Sequence, residues 1–208
     1  MSVADITLLM SAADIKYFVG VGRWEPDARG RLEKAALELY VERGFENTTV
    51  AEIAERAGLT ERTFFRHFAD KREVLFSGTP ALEKLLVESV AGAHETAAPL
   101  DVVGSALEAA GAMIQERGAW SQKRQAVINA NPELRERELI KLASLGSALA
   151  EALRTRGVKE PAASLAAEAG IGAFKVAFER WVLQPTRQNF PRLIRESIGE
   201  LRALAAED

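Results

Sequence analysis

Between Thr48 and Phe76 runs the stretch TTVAEIAERAGLTERTFFRHFADKREVLF, whose residue types and spacing suit one kind of chemistry. Thr60, Glu61, Arg62, Thr63 and Arg66 put polar groups at the start and along one side of a short helix. Phe64 and Phe68, four residues apart, fall on the opposite side and face a core. Arginine can pair bidentately with guanine, and threonine can meet a phosphate, a base edge or a thymine methyl. His67 and Lys71 follow where phosphate contacts would clamp such a helix. Other chemistries find little support. The chain has no Cys and only two His, His67 and His94, far apart. Disulfides, thiolate metal sites and Cys nucleophiles are excluded, and two distant imidazoles do not build a metal site. No cofactor is expected, and the chain is not expected to be an enzyme.

The elements that position these side chains are legible in the punctuation. A first helix is predicted from about Asp27 to Arg43, with Leu32, Ala36, Leu39 and Tyr40 inward and Gly44 just past its end. Thr49 and Glu52 make a capping box for a second helix from Val50 to Ala57. Gly58 and Leu59 form a tight turn. Thr60 caps a third helix to about Phe68, with Glu61 at its positive end. Two short helices joined through a glycine turn are the geometry of a helix-turn-helix, whose second helix enters the major groove. Ala54 and Ala57 are small enough for the two helices to approach closely. Asp70 and Glu73 repeat the capping pattern and predict one longer fourth helix starting near Lys71.

The order T-x-x-T-F-F-x-H-F-x-x-K-x-x-V-L resembles the DNA-reading signature of tetracycline-repressor-family regulators, and with the head around it the resemblance covers about a quarter of the chain. The resemblance implies that Thr60, Arg62, Thr63 and Arg66 face bases or nearby phosphates. It implies that Thr49, His67 and Lys71 hold phosphates. The family usually carries Tyr where Phe65 stands; lacking the hydroxyl, Phe65 supplies packing against the DNA backbone and no hydrogen bond to it.

Alanine, leucine, glutamate and arginine dominate the rest, and strand signals are scarce. The expected fold is all-α with about nine helices, a helix-turn-helix head and a helical body. Pro99 is expected to end one segment, with Asp101 capping a helix to about Arg117. A helix from about Ala119 to Asn129 follows Gly118. Asn131, Pro132 and Glu133 start another, to Arg156. Pro161 opens one to about Leu183, Gln184-Pro185-Thr186 breaks it, and a last helix runs from Phe190 to Ala205. The expected domains are an arm over residues 1–22, a head over 23–76 and a ligand-binding and dimerisation body over 77–208. Asp5 and Asp14 interrupt the apolar start, which argues against a signal peptide. A cytoplasmic location is expected.

Net charge is −3, so any contact with nucleic acid must be local. From Arg23 to Phe76 there are ten Lys or Arg against eleven Asp or Glu. Only the strip from Thr60 to Arg72 is locally positive, through Arg62, Arg66, Lys71 and Arg72. In the body, the resemblance implies a homodimer formed by the last two helices and an effector pocket among the helices before them. Phe174, Phe178 and Trp181 make one apolar stripe, and Leu193, Ile194, Ile198, Leu201 and Leu204 another; both could instead fill the core of one subunit. Met113, Trp120, Gln125 and Ile128 are the candidate ligand contacts, for an apolar or amphipathic organic effector. Arg124, Arg135 and Arg137 could guide an acidic group. The expected partners are thus a pseudo-palindromic double-stranded DNA operator, a second copy and a small effector that releases the DNA. The rival classes are a helical interaction scaffold and a small helical enzyme.

Overall fold

A computed structural model describes residues 27–184 and 188–206; the expected arm and the Pro185-Thr186 break lie outside them. Among the described residues there are nine α-helices and no strand: α1 (Ala28–Arg43), α2 (Val50–Arg56), α3 (Glu61–His67), α4 (Thr79–Ala91), α5 (Pro99–Gln115), α6 (Gly118–Ala130), α7 (Pro132–Thr155), α8 (Ala162–Val182) and α9 (Phe190–Ala206). None of them is long and apolar enough to cross a membrane.

Two apolar clusters organise these helices. The body cluster joins α4, α5, α7, α8 and α9 around Leu107, Leu149, Phe174, Trp181, Phe190 and Ile194. Gly170 lets α8 lie close against α5: a Cβ there would sit 2.3 Å from Val103 Cγ1. The second cluster joins Leu32, Leu39, Phe45, Ile53, Phe64, Phe68 and Phe76 of the head region to Val127 and Ile128 of α6 and Leu134 of α7. Three short helices bury too little surface by themselves. The seam with α6 and α7 completes the core around which α1, α2 and α3 pack.

Three local expectations are corrected. The chain does not form one long helix from Lys71. Asp70 Oδ1 accepts from both Arg72 N (2.8 Å) and Glu73 N (3.1 Å), and this caps a 3-10 turn over Glu73–Phe76. The turn buries Val74, Leu75 and Phe76 in succession. Pro80 would clash with the Phe76 carbonyl in a continuous helix, so α4 starts afresh at Thr79. Helix α5 starts at Pro99 itself, with Ala98 preceding it, and Asp101 lies in the first turn paired with Arg202 of α9. Asn131 makes no side-chain cap for α7; its Nδ2 donates to Val127 O at 2.7 Å and seals the end of α6.

The body stripes are also reassigned. Phe174, Trp181, Leu193, Ile194 and Ile198 are buried within this single chain, so they pack its own core and offer no face to a partner. Trp181 and Phe190 stack with ring centres 4.8 Å apart. Phe178 and Leu201 are half-buried. On α8 and α9 and at the cap of α8 the exposed large apolar side chains are instead Leu165, Val176, Leu204 and, at the cap, Leu183. Of the expected ligand contacts, Ile128 is fully buried in the head cluster and Trp120 packs against that cluster, with Arg117 over its ring at 4.4 Å. Gln125 is tied to Glu138 (3.0 Å) and Asn129 (3.1 Å), and Met113 is half-buried. None of the four lines the cavity beside His67, Phe68 and Phe76.

Candidate nucleic-acid interface

Helices α2 and α3 are each seven residues long and depend on their caps. At α2 the capping box is reciprocal. Thr49 Oγ1 accepts from Glu52 N at 3.2 Å, and Thr49 N donates to Glu52 Oε2 at 2.8 Å. Hydrogen bonds from the Thr49 amide and hydroxyl hold the Glu52 carboxyl below its ordinary range. The turn to α3 is closed by Gly58 N donating to Glu55 O (2.9 Å) and Leu59 N donating to Ala54 O (2.8 Å). Gly58 has φ +65°, a conformation that a side chain would strain. Thr60 Oγ1 then accepts from Thr63 N at 3.2 Å to cap α3.

The two faces of α3 differ sharply. Phe64 is fully buried and Phe68 nearly so, with their rings 5.5 Å apart. Glu61, Arg62, Phe65 and Arg66 are exposed, and Thr63 is half-buried. Phe65 is 55% exposed, its ring held edge-on against Phe64. Arg62 and Arg66, one helical turn apart, have no hydrogen bond or ion pair among the described residues. Their neighbours in the head are paired: Arg43 with Glu52 (2.9 Å), Arg56 with Glu42 (2.9 Å) and Arg72 with Asp70 (2.7 Å). Arg62 and Arg66 can engage an outside acceptor without breaking an existing bond.

The structure regroups the expected phosphate contacts. Thr49 is exposed at the start of α2, but its hydroxyl is engaged in the capping box. Lys71 does not fit a phosphate clamp. Its Nζ donates to the carbonyls of Phe45 (2.9 Å), Thr48 (3.0 Å) and Glu46 (3.3 Å) and sits 4.4 Å from the centre of the Phe45 ring. An ammonium has three donors; here all three close the loop between α1 and α2. Tyr40 supports the same lock by donating its hydroxyl to Lys71 O at 2.6 Å, and burial pushes that phenol well above its ordinary pKa. His67 is likewise turned inward: its Nε2 is shut off from solvent without a partner, and the ring lines a cavity between head and body.

Sequence reasoning missed the seam that holds this interface to the body. Glu73 of the 3-10 turn pairs with Arg137 and with Lys141 of α7, and Arg72 pairs with Glu133. Arg124 of α6 donates to Leu75 O (2.7 Å) and to Glu138 (3.0 Å) and lies 5.0 Å from the Phe76 ring centre. Burial lowers the pKa of its guanidinium, against the opposing pull of Glu138. The only trace of this seam in the sequence is the i, i+4 spacing of Glu133, Arg137 and Lys141 on α7, which a solvated helix face would show equally.

Comparison with known proteins bears on most of the chain. The family described as "Bacterial regulatory proteins, tetR family" matches residues 32–77, and the "MftR C-terminal domain" matches residues 97–206, over half of the chain. The HTH-type transcriptional regulator TcmR of Streptomyces glaucescens is 37% identical over 81 residues, 39% of this chain and 36% of TcmR. The repressor KstR2 of Mycobacterium tuberculosis is 40% identical over 47 residues, 23% of this chain and 24% of KstR2. The activator FasR of Mycolicibacterium smegmatis is 40% identical over 48 residues, 23% of this chain and 22% of FasR. The matches thus span about a third or less of the length of these relatives. Among solved structures, a SmeT–triclosan complex aligns with TM-score 0.62 and 17% identity, covering 86% of this chain and 91% of SmeT. FadR from Bacillus subtilis, in complex with stearoyl-CoA, aligns with TM-score 0.57 and 20% identity, covering 83% of this chain and 96% of FadR. Both likenesses concern the fold.

Proposed function

The chain belongs to the tetracycline-repressor family of bacterial regulators, and from that premise we propose that it is a homodimeric repressor whose α3 reads an operator and which a small organic effector releases. One observation carries the DNA-reading part: two unpaired guanidiniums, Arg62 and Arg66, stand outward on a helix whose other face is locked by Phe64 and Phe68. In the major groove each can pair with guanine or a nearby phosphate. Thr60 and Thr63 flank them, and Glu61 discourages acceptor-rich edges at its own position. Phe65, without a hydroxyl, packs against the sugar–phosphate edge.

The dimer in this reading uses the faces of α8 and α9 that one chain leaves open. Leu165 and Val176 on α8, Leu183 at its C-terminal cap and Leu204 on α9 are 49–74% exposed. A two-fold partner would cover them in a four-helix arrangement and set the two heads roughly 34–36 Å apart, one turn of DNA. The domain division is taken as a head over 23–76 and a body over 77–208, and the two apolar clusters support it except where Val127, Ile128 and Leu134 of α6 and α7 join the head cluster. The effector is taken as apolar or amphipathic, a choice that the triclosan and stearoyl-CoA complexes of the structural neighbours support. A soluble cytoplasmic regulator without enzymatic activity completes the reading. Its relatives include both a named repressor and a named activator. Repression is chosen because a dimer seated on an operator excludes other proteins from it.

The test is binding to the DNA upstream of the protein's own gene, followed by fluorescence anisotropy across a salt series. Wild type should bind one segment specifically, with affinity falling steeply as salt rises. R62A and R66A should lose sequence preference. Equal affinity of wild type and the R62A/R66A double variant for every segment would overturn the reading.

A further inference from the structure

The exposed face of α3 carries more than its two arginines. Glu61 is the only carboxylate of the helix ERTFFRH, and it is exposed without a hydrogen bond or ion pair among the described residues. Other carboxylates of the head are spent on guanidiniums: Glu42 on Arg56 (2.9 Å), Glu52 on Arg43 (2.9 Å) and Asp70 on Arg72 (2.7 Å). The helix itself denies Glu61 such a partner. The positions three and four residues on, where a helical cation would meet it, hold Phe64 and Phe65, and the adjacent Arg62 points another way. The neighbouring hydroxyls are engaged locally. Thr60 and Thr63 bond each other at 3.1 Å, and Thr60 Oγ1 also accepts from Thr63 N at 3.2 Å. The exposed face thus presents two donor forks, Arg62 and Arg66, one acceptor-only group, Glu61, and one ring, Phe65.

An unpaired carboxylate pressed into a DNA groove costs free energy, through its own desolvation and through the phosphates around it. In the major groove two base edges answer it with a donor, the exocyclic amines of cytosine and adenine. On adenine the N7 acceptor lies beside the amine and repels the second carboxylate oxygen. On cytosine a C–H edge lies there instead. The guanine paired with that cytosine offers O6 and N7 to a guanidinium, and Arg62 is the next residue along. We propose that Glu61 is a specificity-determining residue that selects cytosine through its exocyclic amine, with Arg62 on a guanine, of either strand, within one base pair of it. The assignment rests on the regulator reading above, in which α3 lies in the major groove, and it deepens that reading by naming the bases beneath two of its side chains.

The test uses the whole protein and the upstream DNA segment that wild type prefers. Both half-sites are changed symmetrically, one base pair at a time, to each of the other three pairs. Anisotropy at one salt concentration then measures wild type, E61A, E61Q and R62A on every sequence. At one position wild type should demand cytosine and lose about tenfold with any other base. E61A should hold all four bases there within about twofold of one another, while keeping the wild-type preferences at positions more than one pair away. E61Q, whose amide both donates and accepts, should bring adenine level with cytosine or above it. R62A should stop reading a guanine within one pair of that cytosine. A merely structural role for Glu61 would change affinity evenly across the sequences and move no preference. The proposal is overturned if E61A keeps the wild-type profile at every position, if it gains or loses affinity evenly, if the position it stops reading demanded a base other than cytosine, or if R62A reads nothing beside it. Failure of wild type to prefer any segment would overturn the regulator reading and this assignment together. A specific wild type beside an unchanged E61A overturns the cytosine assignment alone.

Discussion

Arg62 and Arg66 on α3 and Arg72, Arg124 and Arg137 along the head–body seam are the same residue type within one region of the fold, with opposite fates. The first two are exposed and unpaired among the described residues. The other three are spent: Arg72 on Asp70 and Glu133, Arg137 on Glu73, and Arg124 on Glu138 and a main-chain carbonyl. A guanidinium with its donors satisfied inside the molecule stabilises the fold and has little left for a ligand. One held outward without a partner adds little to the fold and keeps its full interaction for an external acceptor. Pairing, more than charge, separates the reading surface from its support.

The largest effect that would sharpen this contrast belongs to Arg124. R124L should lower unfolding free energy by about 3 kcal/mol, the low end for breaking a pair in a largely sealed site, because Glu138 and Leu75 O lose their partner. Urea denaturation reads this directly, and unchanged stability would break the comparison from the seam side. Next come R62A and R66A. Each should cost about 1–3 kcal/mol of operator affinity and leave the unfolding midpoint within about 0.5 kcal/mol of wild type. A clear loss of stability in either would break the comparison from the reading side.

Lys71 is the sharpest discriminator. The sequence-based role as phosphate clamp predicts that removing it lowers the salt slope of DNA binding by about one. The geometry predicts instead that K71M leaves three loop carbonyls short of a donor and costs about 1–3 kcal/mol of stability, with the slope unchanged. Thr49→Ala should cost about 1 kcal/mol through the lost cap of α2, read as a lower melting temperature. The smallest effect is in pH. Burial raises the Asp70 carboxyl, but the Arg72 guanidinium and the Arg72 and Glu73 amides outweigh it and hold the net value below the ordinary range. A depressed folded value means stability that is fully present above the unfolded carboxylate pKa, about 4, and is lost as pH falls through the lower folded value. The stability gap between wild type and D70N should therefore be open at pH 7 and close below about pH 4.

The helix-turn-helix, its caps and its inward phenylalanines were legible because they depend on neighbours within four residues: Thr49 with Glu52, Thr60 with Thr63, Gly58 at its turn, Phe64 with Phe68. The other helices were legible for the same reason, within a few residues at their ends; the fourth was not, because the Asp70 cap and Pro80 divide it into a 3-10 turn and a helix that starts at Thr79. What the chain order could not reveal is how contacts distant in sequence use up donors and surface. Lys71 meets carbonyls more than twenty residues upstream; Glu73 meets α7 more than sixty residues on; Ile128 joins the head's core from a helix of the body; Phe174 and Trp181 are covered by their own subunit. Hydrogen bonds between near neighbours follow from local geometry, whereas the burial of a stripe and the pairing of a charge depend on which surfaces the folded chain brings together.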